Sequence, residues 1–134
     1  MKTMKVGVAG ALGLVAMAIG VVPAAAESGS GNDDVIREGV CSAGSDWKLK
    51  AGLDDGQIDG EFEVDQNVVG DVWRVVIKDN GTEIFRTRTT TVAPSGSFEV
   101  DFRGANLEGN DRIVATARNL ETGEVCRGVV TVRA

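Results

Sequence analysis

The stretch Trp47–Asp65, WKLKAGLDDGQIDGEFEVD, decides how this chain folds. In its second half Ile58, Gly60, Phe62 and Val64 fall on one face of an extended chain, and Asp59, Glu61, Glu63 and Asp65 on the other. In its first half Trp47, Leu49, Ala51 and Leu53 alternate with Lys48 and Lys50. Between the halves sits Asp55-Gly56, a pair that tolerates the positive φ values of a two-residue hairpin turn. Closing that turn sets Asp54 against Gln57, and the register follows. Leu53 meets Ile58, Leu49 meets Phe62 and Trp47 meets Val64, while Lys50 faces Glu61 and Lys48 faces Glu63. A slip of one residue would carry every apolar side chain to the wet face.

Six carboxylates lie between Leu53 and Asp65, which raises the question of calcium. The spacing of a twelve-residue calcium loop, with its central glycine and distal glutamate, is missing. A loose site at Asp54, Asp55 and Asp59, completed by loop carbonyls, stays open. The simpler reading is the wet face of a strand, with cross-strand ion pairs to Lys48 and Lys50 contributing ~0.2–1 kcal/mol each. No metal or cofactor is expected.

Outward from this hairpin the pattern repeats. Trp73, Val75 and Ile77 alternate with Val72, Arg74 and Val76, and Asn80-Gly81 signals a second tight turn. The turn predicts Lys78 opposite Glu83 and Ile77 opposite Ile84. Its Asn-Gly-Thr is formally a glycosylation sequon, and the turn explains it better. Phe98, Val100 and Phe102 form one more alternating run, Ile113, Ala115 and Ala117 another, and a last strand runs from Glu124 to Val132. Seven strands with regular turn signals and no helical period predict an all-β, antiparallel sandwich of immunoglobulin-like type, with an up-and-down barrel as the competing architecture.

The ends of the chain bear on its compartment. Lys2 and Lys5 lead an apolar run from Val6 to Val22, followed by Ala24-Ala25-Ala26, which has the form of a secretory signal cleaved after Ala26. The run is glycine-diluted and short for a membrane span, so no stable anchor is expected after cleavage. Residues 27–39, opening Glu-Ser-Gly-Ser-Gly-Asn-Asp-Asp, read as a flexible acidic segment, and 40–134 as the sandwich domain. Cys41 and Cys126, the only cysteines, are expected to pair in a secreted, extracellular protein. A bridge over this separation contributes ~4 kcal/mol in the chain-entropy model. If the strands that follow Cys41 and carry Cys126 run parallel, the bridge ties the terminal strands and shields an edge.

The stretch from Trp47 to Val132 resembles fibronectin-III-like and immunoglobulin-like domains of secreted bacterial proteins. DVWRVVIKDNGTEIF, SGSFEVDF and DRIVATARNLETGEVC carry that resemblance. It implies adhesion or ligand binding. The chain departs from antibody domains in placing its cysteines near the first and last strands and in having no tyrosine.

Little in the sequence offers catalysis. With no histidine and no tyrosine, histidine triads and histidine-bearing zinc sites are excluded, and no phosphate-cradling glycine motif occurs. A non-enzymatic role is expected. Residues 27–70 carry three basic against eleven acidic residues, and residues 71–134 carry nine of each. The resulting acidic chain argues against nucleic acid as a partner. The candidate site is a surface. If Trp73, Val75 and Ile77 face inward, Arg74 and Val76 face outward with Phe85 beside them, and pairing Ala117 with Cys126 adds Arg118 and Arg127. These five residues, Arg74, Val76, Phe85, Arg118 and Arg127, define a sheet face suited to a protein or a cell-envelope polymer. A display domain with no discrete ligand is the alternative. A monomer is expected in either case.

Overall fold

The computed structural model describes residues 34–134. The expected signal, residues 1–26, and the opening of the acidic segment lie outside them. Eight strands follow in order: β1 Val35–Val40, β2 Asp46–Asp54, β3 Gln57–Asp65, β4 Val72–Asp79, β5 Thr82–Thr90, β6 Ser97–Ala105, β7 Asp111–Asn119 and β8 Val125–Val132. They form two four-stranded antiparallel sheets, ordered β1-β2-β3-β6 and β5-β4-β7-β8. The fold is an all-β sandwich. Among the described residues no helix is long and apolar enough to cross a membrane.

The decisive hairpin has the register that its alternation dictates, from Trp47 opposite Val64 to Asp54 opposite Gln57. Asp55 and Gly56 take positive φ at the turn, as do Asn80 and Gly81. The outcome differs at two places. Val35–Val40, all but its last residue expected within the flexible segment 27–39, is a strand that pairs along β2, so the ordered domain begins before residue 40. Its alternation is weak because only one of its faces reaches the core, through Val35 and the small Gly39. Gly39 and Gly128 both lie against the indole of Trp47, and a Cβ on either would come within 2.6 Å of the ring. The second difference is a bulge after Ile77. Lys78 does pair with Glu83, but Ile77 pairs with Phe85 rather than Ile84.

The inward faces of both sheets build one core, in which Leu49, Ile58, Phe62, Trp73, Ile77 and Ile113 are fully buried. At 25 cal/mol per Å², burial of side chains this size stabilises by roughly 1.5–3 kcal/mol each. Trp73 packs 5.8 Å from Phe98, centroid to centroid, and its indole nitrogen donates to Gln66 Oε1 at 3.1 Å.

Cys41 and Cys126 form the disulfide. It joins the turn after β1 to the start of β8, and so links the two sheets. β2 and β8 begin at this end, as the pairing required, but β2 is not an edge because β1 covers it. Glu124 reinforces the junction. Its buried carboxylate accepts from the Ala43 and Ser45 amides at 3.0 and 2.9 Å and from Ser45 Oγ at 2.8 Å.

Polar residues close both ends of the sandwich. At the disulfide end Asp71 Oδ2 accepts from Gln66 Nε2 at 2.7 Å and from Asn119 Nδ2 at 2.9 Å. At the opposite end, where the Asp55-Gly56 and Asn80-Gly81 turns lie, Asp79 and Asp111 point inward from the end of β4 and the start of β7. Both are buried.

Candidate binding face

The outer face of β5-β4-β7-β8 is assembled row by row from the pairing. One row runs Arg88, Arg74, Arg118, Val125, and the next runs Arg86, Val76, Thr116, Arg127. A third begins with Glu83, Lys78 and Val114, followed by Val129. Arg74, Val76, Arg118 and Arg127 therefore share one surface, as their alternation with core positions predicts. The surface holds an open groove of ≈310 Å³ lined by Arg74, Val76, Lys78, Arg86, Thr116 and Arg118.

Phe85 is not on it. The bulge inserts one residue into β5 relative to β4, and a one-residue change of register exchanges the two faces of everything beyond it. Phe85 thereby comes opposite buried Ile77 and packs against the core, and Thr87 comes opposite buried Val75. Arg86 and Arg88 turn outward in their place. The bulge exchanges an aromatic and a hydroxyl for two guanidiniums, so the face is more basic than the sequence pattern implies. No short motif marks the bulge. The one available signal is that Ile84 and Phe85 are adjacent and both apolar, which strict alternation cannot bury together.

Charge on this face is incompletely compensated. Arg86 makes a two-pronged pair with Glu83, at 2.8 and 3.0 Å. That pair holds the Glu83 carboxyl below its ordinary range and raises the Arg86 guanidinium. Among the described residues, no carboxylate lies within ion-pair distance of Arg74, Arg88, Arg118 or Arg127. Arg74 sits directly between Arg88 and Arg118, with like charges opposite each other on both sides, an arrangement that opposes pairing of the strands.

The outer face of β1-β2-β3-β6 has the opposite sign. Lys48 and Lys50 are in register with Glu63 and Glu61 as expected, yet the pairs do not close to ion-pair distance among the described residues. On their other flank the same glutamates meet Glu99 and Asp101 of β6. The carboxylates of Glu61, Glu99 and Asp101 all lie within 4.8 Å of one another. A shared proton with Glu61, then burial and the neighbouring charges, raise the Glu99 carboxyl above its ordinary range. Asp54 and Asp59, the core of the loose calcium alternative, are both engaged by Arg103 at 2.8 and 3.3 Å. A larger concavity of ≈520 Å³ lies over this sheet, lined by Glu38, Val40, Asp46, Trp47 and Glu63 among others.

The two broad faces are thus electrically opposite. The basic one can hold an anionic surface by long-range attraction, with guanidinium forks for carboxylate or phosphate oxygens and valine side chains between them. No protein-family model, curated protein or solved structure matches this chain.

Proposed function

We propose that this is a secreted, non-enzymatic binding domain that holds an anionic partner, an acidic protein surface or an acidic cell-envelope polymer, on the outer face of β5-β4-β7-β8. The observation that carries the reading is the row Arg88–Arg74–Arg118 across three neighbouring strands. Three guanidiniums in register, with no carboxylate in reach among the described residues, cost the isolated domain stability, and an anionic partner offsets that cost. The disulfide fits an oxidising compartment, and the amino-terminal pattern fits export. The resemblance to immunoglobulin-like domains agrees with a binding role and adds nothing on the partner's identity.

The test is capture from culture and envelope fractions of the producing cell by immobilised protein, comparing wild type with the triple variant Arg74→Glu, Arg88→Glu, Arg118→Glu. A partner retained by wild type, released by moderate salt and lost with the triple variant supports the reading. Equal capture by both proteins would place the site elsewhere. The absence of any capture favours a display domain without a ligand.

A further inference from the structure

The end of the sandwich opposite the disulfide carries a feature that the basic face does not use. Asp79 is fully buried, and neither of its carboxyl oxygens has a hydrogen-bond donor among the described residues. The group that faces it is the Asp111 carboxylate, itself 1 % exposed and itself an acceptor. Asp111 is partly satisfied, because its Oδ1 accepts from the Leu107 amide at 3.1 Å. Its Oδ2 lies 2.7 Å from the side-chain amide of Asn106, which also lies 3.3 Å from the Leu107 carbonyl oxygen. With its nitrogen turned inward, Asn106 donates to both. Turned by half a rotation, it presents an oxygen instead. Asp111 is thus faced by Asp79 and by the Asn106 carboxamide, which also neighbours the Leu107 carbonyl, with the exposed loop 106–110 beside them.

We infer that Asp79, Asp111, Asn106 and the Leu107 carbonyl form a calcium site at this end of the sandwich. A buried carboxylate that has no donor and faces a second carboxylate is costly, and a divalent cation is the partner that satisfies both at once. All the ligands are oxygens, which excludes metals that favour nitrogen or sulfur. The 2.7 and 3.3 Å from the Asn106 amide to Asp111 Oδ2 and to the Leu107 carbonyl oxygen are separations that neighbouring oxygen ligands take around an ion bound at 2.3–2.6 Å. A loop that supplies a carbonyl and a carboxamide suits calcium's tolerance of irregular, high coordination better than magnesium's strict octahedron. Burial, followed by the shared proton and the charge of Asp111, raises the Asp79 carboxyl to about 7, which is how the same pair meets its cost when no cation is present. The site differs from the exposed cluster of Glu61, Glu99 and Asp101, where nothing is buried without a partner.

The test is calorimetric titration of CaCl2 into the protein after removal of divalent ions, at pH 7.5, alongside thermal melts in chelator and in calcium. Magnesium chloride at equal ionic strength serves as the reference. The expected result is one saturable calcium per chain with Kd of roughly 10⁻⁴–10⁻³ M, as in other extracellular sites. At tenfold excess over Kd the melting temperature should rise by about 5–10 °C. Asp79→Asn is near-isosteric and can donate to Asp111, so it should fold, as its melt in chelator would show, and should bind no calcium. Asn106→Ala, at an exposed position, should weaken binding by about tenfold, and Glu99→Gln should leave it unchanged. Absence of saturable calcium binding in wild type overturns the site. So does calcium binding that survives Asp79→Asn or disappears with Glu99→Gln.

Discussion

Strands β4 and β7 are antiparallel neighbours, and an inward polar residue lies at or next to each of their ends. At the disulfide end the pair is Asp71 and Asn119, and at the hairpin end it is Asp79 and Asp111. The first pair is chemically matched. The Asn119 and Gln66 amides both donate to Asp71 and hold its carboxyl below the ordinary range. Asn119 in turn accepts from the amides of Glu121 and Thr122 at 2.7 and 3.0 Å. In the second pair a carboxylate replaces the amide, no donor among the described residues reaches Asp79, and its carboxyl is driven up to about 7. The same backbone geometry shifts two aspartates in opposite directions. Burial is the larger cause at Asp79, and the side chain opposite adds to it by accepting where Asn119 donates a hydrogen bond.

The largest expected effects fall on the closed end. Replacing Cys41 and Cys126 together with serine removes a crosslink between residues 85 apart. The loss should be about 4 kcal/mol, read as a fall in the denaturant midpoint of the double variant. Glu124→Ala removes the acceptor for two amides and a hydroxyl, and should cost roughly 2–3 kcal/mol on the same measurement. If Glu124→Ala is neutral, this junction is held by the disulfide alone.

Two exchanges convert one end into the other. Asn119→Asp places a carboxylate opposite Asp71 and strips it of its first donor. It should destabilise by about 2 kcal/mol at neutral pH, and carboxyl NMR titration should show Asp71 rising. Asp79→Asn makes the hairpin end resemble the disulfide end and should stabilise the calcium-free protein by about 1 kcal/mol at pH 8. The pH dependence follows from the same shifts. The folded protein keeps the Asp79 proton up to about pH 7, whereas the unfolded chain releases it near its ordinary value of 3.8. In chelator, stability should therefore rise as pH falls from 8 towards 4. Below that range it should fall again, because Asp71 is protonated less readily when folded than when unfolded. Melts across this range should show a maximum on the acid side of neutrality, and Asp79→Asn should flatten the upper limb.

The smallest effect tests the basic face. Arg74→Thr relieves repulsion from Arg88 and Arg118 and should raise stability by no more than about 0.5 kcal/mol, a gain that high salt should erase. A loss of stability on this substitution would mean that the Arg74 stem packs more than its charge repels.

Much of this molecule was legible in the chain. The Trp47–Asp65 register followed from alternation and one turn, because a half-buried hairpin has a single arrangement that hides its apolar side. The pairing of Ala117 with Cys126 and the disulfide itself followed as directly. The inward placement of both aspartates at the hairpin end is legible too. Asp79 continues the inward series Trp73, Val75, Ile77, and Asp111 begins the series Ile113, Ala115, Ala117. A buried carboxylate is predictable by counting in twos, and its significance emerges only when a second one proves to face it.

Sequence by itself determined seven of the eight described strands, the turns and which residues of most strands face inward, because those depend on neighbours two positions apart. Tertiary structure decided what depends on other strands. β1 became ordered because β2 offered it a partner. A bulge in β5 sent Phe85 to the core and turned Arg86 and Arg88 outward, and no local preference specifies that one-residue insertion. Whether a carboxylate is matched or stranded was likewise settled across the β4–β7 pair and the loop that closes it, where residues distant in the chain set the proton affinity of one another.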